Sequence, residues 1–275
     1  MKLIDLHVHS NHSDGSFSVE RLMKKARDMG IELFSITDHD TITSQYEAVE
    51  LAKKYDMNYI TGVEINVVYP QLMDILGYGI DIYDEDLIEF LDRIKIFRKL
   101  RNKKMVELLS EEGFNISFDE LEEKYDSTTI GRPHIAKILI KKGYGNSVSQ
   151  LMNGHLSRDR KCFVERIRYS PKESIEMIKK SGGKAFLAHP AKLGIKNIQL
   201  EPLLDELIHY GLDGIEIMHY SHTLEYTKYL YDLANKKDLL ISYGSDYHGF
   251  NKPFVNMSYS VNEQTFDEIE HWLKK

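Results

Sequence analysis

Histidines and carboxylates recur along this sequence at spacings that could bind metal ions. The first group is Asp5-Leu6-His7-Val8-His9. Alternate side chains of a β-strand share a face, so His7 and His9 would point the same way and could bind one cation. Further groups follow later apolar runs: Thr37-Asp38-His39-Asp40, Gly62-Val63-Glu64-Ile65, Met73-Asp74-Ile75, Ala188-His189-Pro190 and Gly244-Ser245-Asp246-Tyr247-His248. An isolated His-x-His pair is common by chance, but six groups of metal-competent side chains at apolar runs are not.

Nine side chains in these groups are candidate metal ligands. They are His7, His9, Asp14, His39, Glu64, Asp74, His189, Asp246 and His248, with Asp14 in the loop His12-Ser13-Asp14-Gly15. One ion needs roughly four to six ligands, so nine candidates predict two or three divalent ions that share carboxylates. Imidazole and carboxylate suit Mn, Fe or Zn. The single cysteine, Cys162, excludes a disulfide framework and a thiolate zinc cluster.

Alternating strands and helices must position these groups. The pattern predicts strands over 2–9, 32–37, 58–65, 73–80, 184–189, 213–219 and 239–245, and helices over 18–29, 43–55, 171–181, 200–210, 223–236 and 265–274. This alternation favours a parallel sheet, either closed or doubly wound. In parallel α/β barrels the active site is assembled at the carboxyl ends of several strands, which is where the metal-competent groups lie.

Residues 85–169 interrupt the alternation, because no strand of the repeat is evident there. A long amphipathic helix is predicted over 86–112, ended by Gly113. Its candidate buried positions are Leu87, Leu91, Ile94, Leu100, Leu108 and Leu109. The sequence therefore predicts a helical subdomain over 85–169, inserted into a metal-binding barrel formed by 1–84 and 170–275.

The predicted insertion is basic, whereas the rest of the chain is acidic. Residues 92–168 carry 17 lysines and arginines against 11 aspartates and glutamates, a net charge of +6. Because the whole chain has a formal net charge of −7, the remaining residues carry −13. This contrast favours a small anionic substrate covered by the insertion. A solvated helical face explains the basic run at 93–104 equally well.

Composition and charge further narrow the class of protein. The 275 residues are 42% hydrophobic and 29% charged, enough to bury a sizeable core. The net negative charge argues against broad coating of nucleic acid. Asp5 and His7 interrupt any signal-peptide apolar region, and no apolar run reaches the ~18 residues of a membrane helix. We expect a cytoplasmic protein without membrane attachment, and we infer no stable protein partner.

Together the motifs resemble those of the polymerase and histidinol phosphatase (PHP) superfamily. The resemblance runs from residue 3 to about 250 and is carried by the His-x-His start, Ser-Asp-Gly, Thr-Asp-His-Asp, Gly-Val-Glu, Ala-His-Pro and Gly-Ser-Asp-x-His. The segment Gly131-Arg132-Pro133-His134-Ile135-Ala136 is similar to the branch that includes nucleoside 3′,5′-bisphosphate phosphatases, some of which also trim short RNA from its 5′ end. The resemblance implies an α/β fold, a distorted (β/α)7 barrel (the PHP fold) with an inserted helical subdomain, and a trinuclear metal site.

The family pattern also implies how the ligands are shared. His7, His9, Glu64 and Asp246 would hold the first metal, Glu64 and His189 the second, and Asp14, His39 and His248 the third. One departure concerns Asp74, where the family usually has a histidine. An aspartate can still bind through oxygen, so the second site would favour Mn or Fe over Zn, or bind more weakly.

Several further residues are candidates for contact with substrate. Arg132 offers a bidentate fork to a phosphate, and His134 could bind phosphate or protonate the leaving group. The alternative is that both simply begin a helix at Pro133. A second basic cluster includes Arg158, Arg160, Lys161 and Arg168, for which surface salt bridges are the common alternative. His222 follows the sixth strand and could contact substrate or donate a proton. We assign no special role to His12, His155, His209, His219 and His271.

The leading hypothesis is a phosphoric ester hydrolase that cleaves a phosphomonoester with a metal-bridged hydroxide. Its expected substrate is a nucleoside 3′,5′-bisphosphate or the 5′ end of a short oligonucleotide such as RNA. Histidinol phosphate or a cyclic phosphate are same-fold alternatives that the sequence does not separate. An amidohydrolase-type C–N hydrolase and a non-catalytic metal-binding module are less favoured.

Overall fold

A computed structural model describes residues 1–125 and 129–273 of the chain. The chain divides into two compact units, which we call unit 1 (Met1–Phe90 and Tyr169–Lys275) and unit 2 (Leu91–Arg168). The two units are defined by how the chain folds and not by the family resemblance. The predicted role of the insertion in covering substrate stays a prediction.

Within the described ranges, the strands are β1 (Lys2–Asp5), β2 (Ile31–Phe34), β3 (Gly62–Val67), β4 (Met73–Tyr78), β5 (Lys184–Leu187), β6 (Gly214–Met218), β7 (Leu240–Tyr243) and β8 (Tyr259–Val261). The helices are α1 (Val19–Asp28), α2 (Thr43–Tyr55), α3 (Glu85–Glu111), α4 (Phe118–Tyr125), α5 (Arg132–Lys141), α6 (Val148–Asn153), α7 (Pro171–Lys180), α8 (Asn197–His209), α9 (Leu224–Lys236) and α10 (Glu263–Leu273). Short 3-10 turns follow β5 at Pro190–Leu193 and β7 at Gly249–Asn251. The predicted mixed α/β class is confirmed.

The strands form two sheets in unit 1. One has the order β2-β1-β8 and the other the order β3-β4-β5-β6-β7. β1 is parallel to β2, and β5, β6 and β7 are mutually parallel, whereas β8 runs antiparallel to β1. Parallel strands send their carboxyl ends to the same edge, so this pairing brings the residues after β1, β2, β5 and β7 together.

Backbone hydrogen bonds join the two sheets. On the β2–β3 side, the Asp40 N–H donates to the Glu64 carbonyl at 2.8 Å. On the β1–β7 side, the Leu6 N–H donates to the Tyr243 carbonyl at 3.0 Å. These bonds extend the pairing of neighbouring strands beyond the regular ladders. The closed seven-stranded barrel implied by the family resemblance stays a prediction.

The expectation of a wholly parallel sheet is wrong for β4, which pairs antiparallel with both β3 and β5. The physical reason for the first pair is the short connection. Only residues 68–72 separate β3 from β4, and a parallel pair needs a crossover of about a dozen residues or more. Several predicted strands are also longer than the observed ones, and β8 was not predicted.

Two local predictions about helices have clear outcomes. The start of α7 is confirmed: the Ser170 side chain accepts the Glu173 N–H, the Glu173 carboxylate accepts the Ser170 N–H, and Pro171 takes the first position. The long helix is also found, as α3. The prediction that Leu100 is buried on it is wrong, because its side chain is 59% exposed, whereas Leu87, Ile94 and Leu109 are buried.

Apolar clusters lie in both units. In unit 1, α1 and α2 contribute to one cluster and α10 to another, in which Phe186 stacks near Trp272 with ring centroids 4.8 Å apart. In unit 2, side chains of α3, α4, α5 and α6 form a third cluster. Among the described residues, no helix is both long and apolar enough to cross a membrane.

Candidate metal centre

The first two imidazoles lie just beyond β1. The regular strand ends at Asp5, earlier than predicted, but the chain stays extended because the His9 N–H donates to the Tyr247 carbonyl at 2.9 Å. His7 and His9 are both fully buried. Their Nε2 atoms are 3.1 Å apart, as the alternation of side chains predicts for two residues on one strand face.

Glu64 is the centre of the cluster. Its Oε2 lies 3.3 Å from Nε2 of His7, 3.2 Å from Nε2 of His9 and 2.9 Å from Nδ1 of His39. Its Oε1 lies 2.8 Å from Nε2 of His189. Both carboxylate oxygens of Glu64 therefore face imidazole nitrogens, which is the arrangement of a carboxylate that can bridge two cations.

Asp246 and Asp14 extend the cluster toward the end of β7. Oδ1 of Asp246 lies 3.3 Å from Nε2 of His9 and 3.3 Å from Nδ1 of His248. Oδ1 of Asp14 lies 3.0 Å from Nε2 of His248 and 3.8 Å from Nδ1 of His9. His9 thus lies between Glu64 on one side and two aspartates on the other.

The structure brings all nine predicted ligands into four overlapping groups. Within each group one ligand atom per residue lies within 4.8 Å of the others: His9, Asp14, His39 and His248; His7, His9 and Asp246; His7, Glu64 and His189; His39, Glu64 and Asp74. Overlap of this kind is expected when neighbouring ions share ligands.

His7 directs Nε2 into the cluster. Its Nδ1 lies 2.9 Å from the Glu216 carboxylate and donates to it, so Nε2 is the nitrogen left to face the other candidate ligands. Oε2 of Glu64 and Oδ1 of Asp14 are buried and have no hydrogen-bond partner of regular geometry among the described residues. Converging lone pairs in a dry site repel one another unless a cation lies between them, so the donor set fits divalent metal ions.

Asp74 is the most weakly connected of the nine. Its Oδ1 accepts a hydrogen bond from Nδ2 of Asn66 at 2.7 Å, and its Oδ2 is 3.7 Å from Nε2 of His189. Burial and the Glu64 charge raise the pKa of Asp74 to about 6. The aspartate therefore lies at the edge of the cluster, next to the side of Glu64 that faces His189.

Charge in the cluster is strongly coupled. Burial alone would raise the pKa of Glu64, but His39 and His7 hold it well below its usual value. Burial would lower the pKa of His39, yet Glu64 and Asp14 raise it to about 10. In contrast, burial lowers the pKa of His248 to about 4. Metal ions would replace the protons that now balance these carboxylates.

Sequence reasoning missed four side chains that support the cluster: Glu216, His219, Lys192 and Lys252. Glu216 is fully buried on β6, where its Oε1 faces His7 and its Oε2 accepts the His189 N–H at 2.7 Å. One carboxylate thus orients two candidate ligands. The available signal was a glutamate inside the apolar strand Gly214-Ile215-Glu216-Ile217, a position comparable to that of Glu64 inside β3.

Lys192 and Lys252 converge on the same oxygen of Asp246. Their Nζ atoms lie 2.5 and 2.7 Å from Oδ2, and Nε2 of His219 lies 3.1 Å from it. Oδ1 of Asp246 is left to face His9. His219, for which no role was predicted, therefore positions a candidate ligand.

The protein also tethers the loops that carry these ligands. Asp5 accepts hydrogen bonds from the N–H and hydroxyl of Ser245, at 2.9 and 2.7 Å. His189 and Asp246 have positive φ angles of 28° and 57°. Non-glycine residues in this region are strained, and such strain is found where a side chain must be aimed at a functional site.

The predicted substrate residues fall into both units. In unit 1, His222 donates from Nδ1 to the Ile217 carbonyl at 2.9 Å, and its Nε2 is buried without a partner among the described residues. In unit 2, Arg132 donates to the Leu156 carbonyl at 3.1 Å, and Nδ1 of His134 accepts the Gly131 N–H at 2.9 Å. The last contact caps α5.

Arg158 and Arg160 carry surface salt bridges instead of open guanidinium groups. Arg158 lies 3.1 Å from Glu165, and Arg160 lies 3.9 Å from Asp159. All four side chains are at least 53% exposed. This geometry matches the common alternative for these two arginines, and their role toward substrate stays a prediction.

Comparison with known proteins decides the family. The model of the PHP domain matches residues 5–185. The chain belongs to the PHP family. The match covers the segments that carry His7, His9, Asp14, His39, Glu64 and Asp74.

Three relatives span nearly the whole chain. A 5′-3′ exoribonuclease from Haemophilus influenzae is 29% identical over 248 residues, covering 90% of each protein. A 3′,5′-nucleoside bisphosphate phosphatase from Chromobacterium violaceum is 28% identical over 250 residues, covering 90% of this chain and 88% of the relative. A phosphoribosyl 1,2-cyclic phosphate 1,2-diphosphodiesterase from Eggerthella lenta is 28% identical over 250 residues, covering 89% and 94%.

Solved structures agree in fold. A candidate metal-dependent phosphoesterase from Bifidobacterium adolescentis is 31% identical with a TM-score of 0.84, covering 96% of this chain and 94% of that one. A protein named as an amidohydrolase from Chromobacterium violaceum, solved with bound sulfate and no metal, is 26% identical with a TM-score of 0.86, covering 98% and 95%. The predicted PHP membership, and with it the class of metal-dependent phosphoesterase, is confirmed.

Proposed function

We propose that this PHP-family chain hydrolyses the phosphomonoester of a nucleoside 3′,5′-bisphosphate or of the 5′ end of a short RNA. Two or three divalent ions, drawn from Mn, Fe and Zn, would be held by the nine clustered side chains. The observation that carries the proposal is the Glu64 carboxylate, fully buried with three imidazole nitrogens within 3.3 Å of one oxygen.

We assign the ligands as the family pattern implies. His7, His9, Glu64 and Asp246 would hold one ion, Glu64 and His189 a second, and Asp14, His39 and His248 a third. Asp74 would complete the second site through oxygen. Its Oδ2 is 3.7 Å from His189, so this is the ligand set that we expect to bind most weakly.

Bound divalent ions would supply two things: a water of lowered pKa and positive charge for the phosphoryl oxygens. The chain's own residues prepare the site for this chemistry. Glu216 fixes the tautomer and direction of His7, which leaves Nε2 as a ligand atom. Lys192 and Lys252 neutralise Oδ2 of Asp246, so the substrate's negative charge meets less repulsion there.

His222 suits the role of a hydrogen-bond acceptor. Burial lowers its pKa to about 4, so it is neutral at pH 7, and its protonated Nδ1 is bound to the Ile217 carbonyl. Its Nε2 therefore offers a lone pair. We propose that it accepts a hydrogen bond from a substrate hydroxyl, and not that it donates the proton to the leaving group.

The substrate proposal rests on the relatives named above and on charge. Two of them are a 5′-3′ exoribonuclease and a 3′,5′-nucleoside bisphosphate phosphatase. Unit 2, which carries the Gly131–Ala136 segment, has a net charge of +6. A ligand with a second phosphate suits this charge better than a singly charged ester does.

The direct test is release of phosphate from adenosine 3′,5′-bisphosphate by protein reconstituted with Mn²⁺. A 5′-phosphorylated trinucleotide and phosphoribosyl 1,2-cyclic phosphate are measured beside it. We expect kcat/KM to be highest for the bisphosphate or the RNA. Preference for the cyclic phosphate would support the second candidate, which the Eggerthella lenta relative favours. Absence of release from the first two substrates would reject the substrate proposal.

A further inference from the structure

Two aromatic side chains are exposed at the edge of unit 1 where β6 and β7 end. Tyr220 follows β6 and Phe254 follows β7, and they are 37% and 72% exposed. Their ring centroids lie 5.8 Å apart, and the ring planes meet at 65°. Two exposed rings at this angle form an apolar corner, which we call the aromatic corner. Aromatic rings carry a large apolar area, so such a corner gains free energy when a ligand covers it.

A turn beside the metal centre presents Tyr220. The His222 N–H donates to the His219 carbonyl at 3.0 Å, so Tyr220 is the second residue of a four-residue turn. The centroid of the His219 ring lies 4.4 Å from that of the Tyr220 ring. Nε2 of His219 in turn lies 3.1 Å from Oδ2 of Asp246. The backbone and the neighbouring imidazole therefore hold the Tyr220 side chain close to a candidate metal ligand.

A second turn presents Phe254. The Val255 N–H donates to the Lys252 carbonyl at 3.0 Å, and Pro253 takes the second position, where its fixed φ suits a turn. Val255 is 3% exposed and belongs to an apolar cluster of unit 1. The turn is therefore anchored by a buried side chain, while the Phe254 ring stays outside the core. A ring held in this way loses little conformational freedom when a ligand packs on it.

Two lysines connect the aromatic corner with the metal centre. The Nζ atoms of Lys192 and Lys252 lie 5.3 and 5.4 Å from the centroid of the Tyr220 ring. The same two atoms lie 2.5 and 2.7 Å from Oδ2 of Asp246. Each lysine thus contacts both the corner and a candidate metal ligand. A ligand whose phosphate is bound at the metal centre can therefore reach the corner with the organic group attached to that phosphate.

We propose that Tyr220 and Phe254 bind the nucleobase of a substrate whose phosphate lies at the metal centre. The inference rests on the proposed function and adds to it the contact that distinguishes a nucleotide from a phosphosugar. A purine or pyrimidine is flat, so it can stack on one ring of the corner while its edge meets the other. Such stacking tolerates every base, so we expect little selectivity among bases. A protein partner suits this position less well, because it would also cover the adjoining metal centre.

The test compares two substrates that differ in the base alone, adenosine 3′,5′-bisphosphate and ribose 3,5-bisphosphate, with the full chain loaded with Mn²⁺. We expect the wild-type KM to be at least about fivefold lower for the substrate that carries the base. Phe254→Ala should raise that KM at least about fivefold and leave kcat nearly unchanged, because stacking holds the ground state and the transition state equally. The KM for ribose 3,5-bisphosphate should not change in this variant.

Three further variants separate stacking from a general effect on the loops. Phe254→Trp keeps an aromatic ring and should keep the wild-type KM. Phe250→Ala removes a ring of similar exposure, 70%, and should also keep it, because Phe250 packs edge-on against Phe17. Tyr220→Phe should behave like the wild type as well, since stacking uses the ring and not the hydroxyl group.

A binding measurement separates failure of this inference from failure of the proposed function. Calorimetry with adenosine 5′-monophosphate and the Mn²⁺-loaded chain needs no turnover, and we expect its dissociation constant to rise at least about fivefold in Phe254→Ala. Absence of binding to the wild type, an equal dissociation constant in Phe254→Ala, or equal wild-type KM values for the two substrates would overturn the inference.

The remaining outcomes are also distinct. Release of phosphate from neither substrate, together with nucleotide binding that depends on Phe254, would reject the proposed function and support the aromatic corner. Loss of self-association in Phe254→Ala, with unchanged nucleotide binding, would overturn the inference and show that a second copy of the chain covers the corner.

Discussion

The two units bury charge of opposite sign. In unit 1, buried imidazoles and carboxylates surround Glu64, and protons on the imidazoles balance its charge in the absence of metal. In unit 2, Arg101 is only 9% exposed, and its Nε has no hydrogen-bond partner among the described residues. In unit 1 the convergence of buried carboxylates and imidazoles indicates divalent cations as the ligand.

The largest effect is expected from removing the bridging carboxylate of unit 1. Glu64→Gln keeps the size of the side chain but cannot bridge two cations. We expect phosphate release to fall on the order of 10³-fold or more. Glu225→Gln, at an exposed position on α9, is the matched control and should retain activity. Near-normal turnover in Glu64→Gln would contradict the role given to Glu64.

A smaller effect is expected at Glu216, which we treat as a positioning residue. Glu216→Gln should weaken metal binding about 10–100-fold, because the amide holds His7 less firmly in the required tautomer. Excess Mn²⁺ should then restore most of the activity, which is measured by titrating metal at saturating substrate. A loss that no concentration of metal restores would show that Glu216 acts in some other way.

Metal binding by unit 1 should release protons. His39 has a pKa of about 10 in the metal-free protein, so it is protonated at pH 7.5, and a metal must displace that proton. Apparent metal affinity should therefore rise with pH up to about 10. Calorimetry in two buffers of different ionisation enthalpy measures the release, and His39→Gln should lower it by about one proton. Equal heats in both buffers would contradict the expectation.

The smallest effect is expected at the exposed arginines of unit 2. Arg158→Gln removes a salt bridge to Glu165 in which both side chains are more than half exposed. We expect the free energy of unfolding to change by less than about 0.5 kcal/mol, measured by urea denaturation. A larger loss would show that this exposed arginine contributes to stability as much as a buried one does.

His7, His189 and Asp246 could be placed together from the sequence because each follows a strand, and parallel strands send their carboxyl ends to one edge. Glu64 was expected near the end of a strand over 58–65, but it lies inside β3. Glu216 was missed because a period-2 pattern cannot tell a structural carboxylate on a strand from a functional one. Lys192 and Lys252 were missed because the loops that carry them have no periodicity.

The errors in the fold have local causes. The antiparallel placement of β4 follows from a short connection that the alternating pattern hides. β8 is only three residues long and gives too short a run to stand out. Leu100 fits the helical spacing of α3 but is exposed, because spacing marks a face and does not say how far along the helix that face is covered.

The central claim is that the Glu64 cluster holds the divalent ions on which hydrolysis depends. The most direct measurement combines elemental analysis of the purified chain with phosphate release before and after chelation. We predict two or three divalent ions per wild-type chain, fewer in Glu64→Gln, no turnover after chelation and recovery when Mn²⁺ is returned. Full turnover by chain free of divalent metal, or metal content unchanged in Glu64→Gln, would contradict the claim.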